Sequence, residues 1–376
     1  MGETSSHSTY AQLSIISMRG CEEITAKIDW YLRKFREGYE NEQTYITHIH
    51  CPRFGSGEAK CIIDETVRGH DVYIICDMFN HGITYKMYGT ENRMSPDDHY
   101  QDLKRIIAAI SGKARRLTVV MPMLYEGRQH RRTARESLDC AIALQELVNM
   151  GVSNIITFDA HDARVQNAIP LSGFDDVQTT YQMVKALSRQ VPDISFDKEK
   201  TIVISPDEGG MKRAMYYSSV LGLDLGMYYK RRNYSIIVDG KNPIEAHEYL
   251  GRSVEGKDVM IIDDMISSGE SVLDIAKMLK GQGAKRVFVF TAFGLFCNGL
   301  DKFDKAFADG EISKVFTTNL IYRIPELFER EWYCEVDMSK YISLLIDTLN
   351  HDETISNLLV PAQRIEKLIE RLNEQK

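Results

Sequence analysis

The sequence predicts an α/β protein made of two similar domains, each with a central, mostly parallel sheet flanked by helices, followed by C-terminal helices. Three observations carry this expectation. Short apolar runs rich in Val and Ile alternate with amphipathic helical stretches, the pattern of successive βαβ units. Residues 117–158 and 259–291 repeat one plan: strand, charged loop, helix, a Gly-containing return and a second strand. No apolar run approaches the length of a membrane span, so the runs are strands and buried helix faces.

The elements follow in order. Residues 12–16 read as a strand, and Ile24, Ile28, Tyr31 and Leu32 form one face of a helix over 22–35. Residues 44–50 and 71–76 are strands, the latter carrying Val72, Tyr73, Ile74 and Ile75. Leu103, Ile106, Ile107 and Ile110 define a helix over 101–111. A strand at 117–121, a helix at 137–150 and a strand at 154–158 complete the first half. In the second half, helices are expected at 180–188, 210–221 and 271–280, and strands at 201–205, 258–262 and 286–291. The crossovers should be right-handed. A boundary near Ala168 to Gly173 gives domains 1–170 and 171–335. Ile342, Leu345, Ile346 and Leu349, then Ile365, Leu368 and Leu372, have helical spacing, so 336–376 is expected as a two-helix appendage.

The chain has 376 residues and a formal net charge of -8. Such a balance excludes a general binder of nucleic acid or of anionic membranes, whose phosphates would repel it. Any anionic ligand must meet a local basic cluster; Arg128 with His130, Arg131, Arg132 and Arg135 form one, and Lys230 to Arg232 another. The seven cysteines include no CxxC pair, and the polar N-terminus lacks a secretory signal, so a reduced, cytoplasmic protein is expected. Cys61 and Cys297 sit among apolar residues and are expected to be buried and unreactive.

The strongest chemical signal runs from Val259 to Ser271. An apolar strand ends in Asp263 and Asp264, a loop of Ser267, Ser268 and Gly269 follows, and a helix begins at once. Backbone N–H groups of such a loop and helix N-terminus hold a phosphate dianion. Carboxylates at the strand end accept from vicinal sugar hydroxyls or hold a divalent cation. In open α/β sheets ligands bind at this end of the strands.

This string resembles the phosphoribosyl pyrophosphate signature shared by type I phosphoribosyltransferases and ribose-phosphate pyrophosphokinases. Further segments resemble the pyrophosphokinases specifically: Arg53-Phe54-Gly55-Ser56-Gly57-Glu58 with Glu65 to Val72, Tyr125 to Gln129, Asp159-Ala160-His161, Ser205 to Ala214, and Lys230-Arg231-Arg232. They occur in the family's order over roughly residues 10–330. The resemblance implies two phosphoribosyltransferase-like domains, an ATP-side one followed by one with the ribose 5-phosphate loop. It implies transfer of the diphosphate of ATP to ribose 5-phosphate for nucleotide biosynthesis, with Mg²⁺ as cofactor. By that resemblance Lys230 and Arg232 are catalytic, and Phe54, Glu58, Arg128 and Gln129 bind ATP. Asp263, Asp264, Ser267, Ser268, Gly269 and Ser271 bind ribose phosphate, while His161, Asp207 and Asp175 place metal. The resemblance also implies a homo-oligomer, dimer or hexamer, with Phe54 and Glu58 reaching in from a neighbouring subunit. His48 and His50 are read as structural.

Three positions depart from the family pattern: Ser56 near the expected adenine, His130 after the Arg-Gln pair, and Glu270 in the phosphate loop. A carboxylate at Glu270 opposes a phosphate unless it points away. Open alternatives are a larger acceptor such as ADP-ribose, a phosphoribosyltransferase, and a non-catalytic regulatory homologue. Retention of Lys230 and Arg232 argues against the last.

Overall fold

The computed structural model describes residues 9–36, 44–232 and 244–374, with side chains apart from those of 230–232, 244–247 and 373–374. The chain forms two compact units. The first comprises Met1–Gln178, Asn319–Tyr322 and Asp337–Val360, the second Thr179–Thr318, Arg323–Val336 and Pro361–Lys376.

In the first unit, buried β1 (Leu13–Ser17) leads to α1 (Glu22–Arg36), which has acidic residues in its first turn and basic ones in its last, matching the helix dipole. The strand expected over 44–50 is broken in two. β2 (Ile46–Thr47) pairs with β1, while β3 (Ile49–His50) leaves the sheet to pair antiparallel with β4 (Ile62–Ile63). After β5 (Asp71–Ile75) comes a hairpin of β6 (Thr84–Met87) and β7 (Thr90–Arg93), then α2 (Pro96–Ile110). That helix starts before the expected residue 101 because Ser95 and Asp98 form a capping box and Pro96 tolerates the first helical turn. β8 (Arg116–Val120), α3 (Asp139–Asn149), β9 (Asn154–Phe158) and β10 (Gly173–Val177) follow. The sheet order is β10-β9-β8-β5-β1-β2, every pair parallel. β10 closes this first sheet, so the division falls after Gln178 rather than between 168 and 173. Its two central carboxylates hid it from a reading based on apolar runs.

The second unit runs α4 (Thr180–Gln190), β11 (Thr201–Ser205), α5 (Met211–Leu221), β12 (Asp224–Arg232), β13 (Ile244–Leu250) and β14 (Asp258–Ile266). It continues through α6 (Glu270–Gly281), β15 (Arg286–Gly294), α7 (Asp301–Ala308), β16 (Lys314–Thr318) and β17 (Tyr333–Val336). The sheet order is β13-β12-β11-β14-β15-β16-β17, parallel except at β13. Ile204, Ile261 and Val289 from the strands pack with Ile275 and Leu279 of α6 in its core. Phe296, Phe303 and Trp332 add an aromatic cluster to that core, with Phe303 stacked on Trp332 at 5.4 Å.

One device recurs in both sheets. Buried Asp71 opens β5 and takes the Arg116 guanidinium opening β8, with Nε at 2.8 Å. Asp258 opens β14 and takes Arg286 opening β15, at 2.8 and 2.7 Å. Each bidentate pair fixes register at the sheet end remote from the ligand edge.

The expected two-helix appendage does not form a unit of its own. α8 (Ser339–Asn350) lies on α1 in the first unit, burying Ile342, Leu345 and Ile346. Ser343 Oγ donates to the Ile28 carbonyl at 3.2 Å, and Arg36 Nε to Asp347 at 2.6 Å. After the short α9 (Ser356–Leu359), α10 (Ala362–Glu374) packs on α4 and α5 of the second unit, with Ile365 buried. The physical reason is that each helix has one apolar face, and a separate helix layer satisfies each. Among the described residues no helix is long and apolar enough to cross a membrane.

Candidate active site

In the second unit the sequence-predicted phosphate loop sits at the carboxyl edge of the parallel sheet. β14 is buried up to Ile262, and its last four residues begin with half-buried Asp263 and buried Asp264. Asp264 N–H donates to Asp263 Oδ1 at 2.9 Å, and Met265 N–H to Asp264 Oδ1 at 3.0 Å. Burial, then the charge of Asp264, pushes the Asp263 carboxyl well above the usual carboxylate range. Ser267, Ser268 and Gly269 lead directly into α6, whose first turn holds Glu270 and Ser271. Gly269 has φ +81°, and a Cβ there would lie 2.4 Å from the Phe303 ring, so this turn requires glycine. Glu270 does not oppose the loop. Its carboxylate pairs with Lys302 of α7 at 2.5 Å, which holds it below the usual range.

On the neighbouring strand, β11, the chain turns at Asp207. Ser205 Oγ donates to the Asp207 carbonyl at 2.7 Å, and Gly210 N–H to Asp207 Oδ1 at 3.1 Å just before α5. Because β11 pairs with β14, Asp207 and the Asp263–Asp264 pair share one sheet edge. Lys230 and Arg232 end β12, the next strand outward, and their side chains lie outside the described residues.

The first unit carries its candidates at the same edge of its own sheet. Exposed Arg128 and half-buried Gln129 lie in the loop after β8, and Gln129 Nε2 donates to the Ser137 carbonyl at 2.9 Å. His161 is exposed after β9, its ring 5.2 Å from that of His130, and His130 Nε2 stands 3.5 Å from Asp162. Glu126 (φ 54°) and Asp159 (φ 40°) adopt left-handed backbone at these two strand ends. Such strain concentrates at functional turns. Arg131, Arg132 and Arg135 are exposed.

Asp175 is placed differently from its neighbour. It lies within β10, accepts from Asn154 Nδ2 at 2.7 Å, and desolvation raises its carboxyl. Asp176 points to the other face, where its Oδ1 accepts from Ala160 N–H at 3.0 Å, beside His161. Sequence reasoning passed over Asp176; the strand alternation that separates the two residues was the missing signal.

Phe54 and Glu58 occupy a tight loop also in the first unit. Phe54 N–H donates to the Glu58 carbonyl at 2.7 Å, and Ser56 Oγ to Glu58 Oε2 at 2.9 Å. Arg53 anchors the loop from beneath through Asp102 at 2.9 Å and by lying on the Tyr85 ring at 4.4 Å. Phe54 is left 55% exposed. The two thiols expected to be buried are not: Cys297 is exposed and Cys61 half-buried. Apolar neighbours in sequence do not determine burial at loop ends. Among the described residues, no three His, Cys, Asp or Glu side chains gather into a metal cage.

Two sheets with candidate loops at their carboxyl edges, one carrying paired carboxylates and a Ser-Ser-Gly turn, have the architecture of phosphoribosyltransferase-like α/β proteins. Comparison with known proteins narrows the class. Residues 13–151 match the model of the N-terminal domain of ribose phosphate pyrophosphokinase, and residues 173–316 that of the phosphoribosyl transferase domain. The chain is 32% identical over 283 residues to a ribose-phosphate pyrophosphokinase of Mycoplasma pneumoniae, covering 73% of this chain and 76% of that one. It is 29% identical over 311 residues to that of Vibrio cholerae, covering 81% and 88%. Its fold matches phosphoribosylpyrophosphate synthetase from Mycobacterium smegmatis with a TM-score of 0.73 at 19% identity, over 91% of this chain and 99% of that one. The chain belongs to the ribose-phosphate pyrophosphokinase family.

Proposed function

We propose that this enzyme transfers the β,γ-diphosphate of ATP to the anomeric hydroxyl of ribose 5-phosphate, giving phosphoribosyl pyrophosphate and AMP. The observation that carries the reading is the β14–α6 edge, where two carboxylates and a glycine-dependent turn meet a helix N-terminus. The loop N–H groups at Ser267 to Ser271 suit the 5-phosphate dianion, and Asp263 and Asp264 suit the ribose hydroxyls. The Glu270–Lys302 pair removes the electrostatic objection to a phosphate there. Phe54 offers an exposed aromatic face for adenine, with Glu58 as its acceptor, and Arg128 and Gln129 serve the ATP phosphates. Lys230 and Arg232 neutralise the diphosphate as the anomeric oxygen attacks the β-phosphorus in line.

The carboxylates available suit Mg²⁺, a hard cation that keeps several waters and takes one or two protein oxygens beside substrate phosphates. In the second unit Asp207, and separately in the first unit Asp176 with His161, are the groups that would each hold such an ion; Asp175 is tied to Asn154. When bound, Mg²⁺ neutralises phosphate charge. Accordingly Asp176→Asn should raise the Mg²⁺ concentration needed for half-maximal rate about tenfold, while Asp175→Asn leaves it near wild type. A Mg²⁺ titration of both variants tests this, and the reverse ranking would reject the assignment. A homo-oligomer acting in the cytoplasm, without nucleic-acid or membrane partners, completes the reading.

The direct test is incubation with Mg²⁺, ATP and ribose 5-phosphate, following AMP and the sugar diphosphate by mass spectrometry. The two products should appear in step, and Lys230→Ala should lower the rate by about 10²-fold or more. Absence of AMP with the wild-type protein would overturn the reading. ADP-ribose in place of ribose 5-phosphate should be a poor acceptor.

A further inference from the structure

The loop carrying Phe54 and Glu58 is closed at its base by two cysteines. β3 and β4 pair antiparallel with Ile49 opposite Ile63 and His50 opposite Ile62, and the Arg53–Ala59 bridge continues that register. Cys51 therefore stands directly opposite Cys61. Asp64 N–H donates to the His48 carbonyl at 3.1 Å, Lys60 N–H to the Pro52 carbonyl at 3.2 Å and Phe54 N–H to the Glu58 carbonyl at 2.7 Å. These are the hydrogen-bonded pairs of the ladder, so the alternation makes Cys51–Cys61 a non-hydrogen-bonded pair. Such a pair holds its Cα atoms about 4.5 Å apart, inside the span of about 4.4–6.8 Å that a disulfide accepts. Both residues are half-buried, within reach of a small reagent.

We propose that Cys51 and Cys61 form a reversible disulfide that pinches the base of the 52–60 loop. The two sulfurs are not equivalent. The neighbouring Cys61 thiol, working against burial, holds the Cys51 thiol below its usual value, while Cys51 and burial raise Cys61. In the proposed step Cys51 is the attacking thiolate. With a low-molecular-weight disulfide as oxidant, the Cys51 thiolate attacks one of its sulfurs, breaking the S–S bond and releasing one thiolate. The Cys61 thiol then gives up its proton and attacks the Cys51 sulfur of the mixed disulfide. That step forms the Cys51–Cys61 bond and releases the second thiolate. The oxidant gains the two electrons that the two protein thiols lose. In a reducing compartment a strand-bridging bond of this kind is transient and responds to redox poise. Drawing the two sulfurs to bonding distance shifts the loop that presents Phe54 and Glu58. The consequence for ATP rests on the function proposed above; the disulfide itself does not.

The test treats the full-length protein with oxidised glutathione, alkylates the remaining thiols and maps peptides by mass spectrometry. The expected result is a peptide pair joined through Cys51 and Cys61 that dithiothreitol separates. The cross-link should be absent from Cys51→Ser, and Cys61→Ser should stop at the glutathione adduct on Cys51. Alkylation of both thiols after oxidation, or a wild-type protein that stops at the adduct, overturns the proposal. In the diphosphate-transfer assay oxidation should raise KM for ATP several-fold in wild type and leave Cys61→Ser unchanged. An unchanged KM in cross-linked protein overturns the link to the nucleotide loop, whereas an inactive reduced protein counts against the proposed reaction and leaves the mapping result intact.

Discussion

Asp263→Asn should raise the melting temperature at neutral pH while lowering kcat/KM for ribose 5-phosphate by about 10²-fold or more. The two effects have one cause. Asp263 shares the end of β14 with buried Asp264, and burial followed by that neighbouring charge pushes its carboxyl well above the usual range. The folded state therefore keeps a proton that the unfolded chain releases. Stability from this group is fully present below its ordinary, unfolded value and falls as pH rises towards its raised folded value. Asparagine imitates the protonated side chain and escapes that loss. Wild type and variant should have similar stability in acid and separate progressively as pH rises, the variant being the more stable. The same substitution replaces a carboxyl with two oxygens for the sugar hydroxyls by an amide that accepts through one only, which is why the rate falls. Thermal melts across the pH range, together with kcat and KM for ribose 5-phosphate, check both halves. A variant no more stable than wild type at neutral pH would show that the Asp263–Asp264 pair carries no electrostatic strain.

This trade also explains why the phosphate loop was so legible in the sequence. Two adjacent carboxylates after four buried apolar residues make poor structural sense, so the stretch from Val259 to Ser271 announces a site. The repeat of strand, helix and strand at 117–158 and 259–291 was equally plain, because parallel strands buried on both faces read as unbroken Val and Ile runs. Elements held by pairing instead of by apolar pattern were not readable. β10 is Gly-Phe-Asp-Asp-Val, and only its ladder with β9 makes it a strand; without it, Asp175 and Asp176 cannot be assigned to opposite faces. The same holds for β4 and for the break that takes β3 out of the strand expected over 44–50; the register of β3 with β4 brings Cys51 to Cys61. Helical periodicity marked α8 and α10 correctly as amphipathic. It carries no information about which layer each face covers, so one expected appendage became two docked helices. Glu270 shows the converse: its charge was read as a conflict because Lys302, 32 residues onward in sequence, is what it meets.

Gly269→Ala should destabilise the protein by about 2–4 kcal/mol and raise KM for ribose 5-phosphate by more than it changes kcat. Two separate obstacles meet at this residue. Its φ of +81° disfavours any L side chain, and its Cβ position lies 2.4 Å from the Phe303 ring. The ring cannot easily swing aside, since it is fully buried and packed against Phe296 and Trp332. Relief must therefore come from the backbone of the turn, the part whose N–H groups the proposed reading assigns to the phosphate. The double variant Gly269→Ala/Phe303→Leu separates the obstacles. It removes the ring atoms nearest the new methyl group but leaves the left-handed backbone cost, and it opens part of the aromatic core. If the clash dominates, ribose 5-phosphate affinity recovers in the double variant although stability does not. If backbone conformation dominates, affinity stays low in both. Denaturant unfolding and initial rates against ribose 5-phosphate distinguish these cases. A Gly269→Ala protein with wild-type stability and KM would mean that the turn is not held as described and that the phosphate is bound elsewhere.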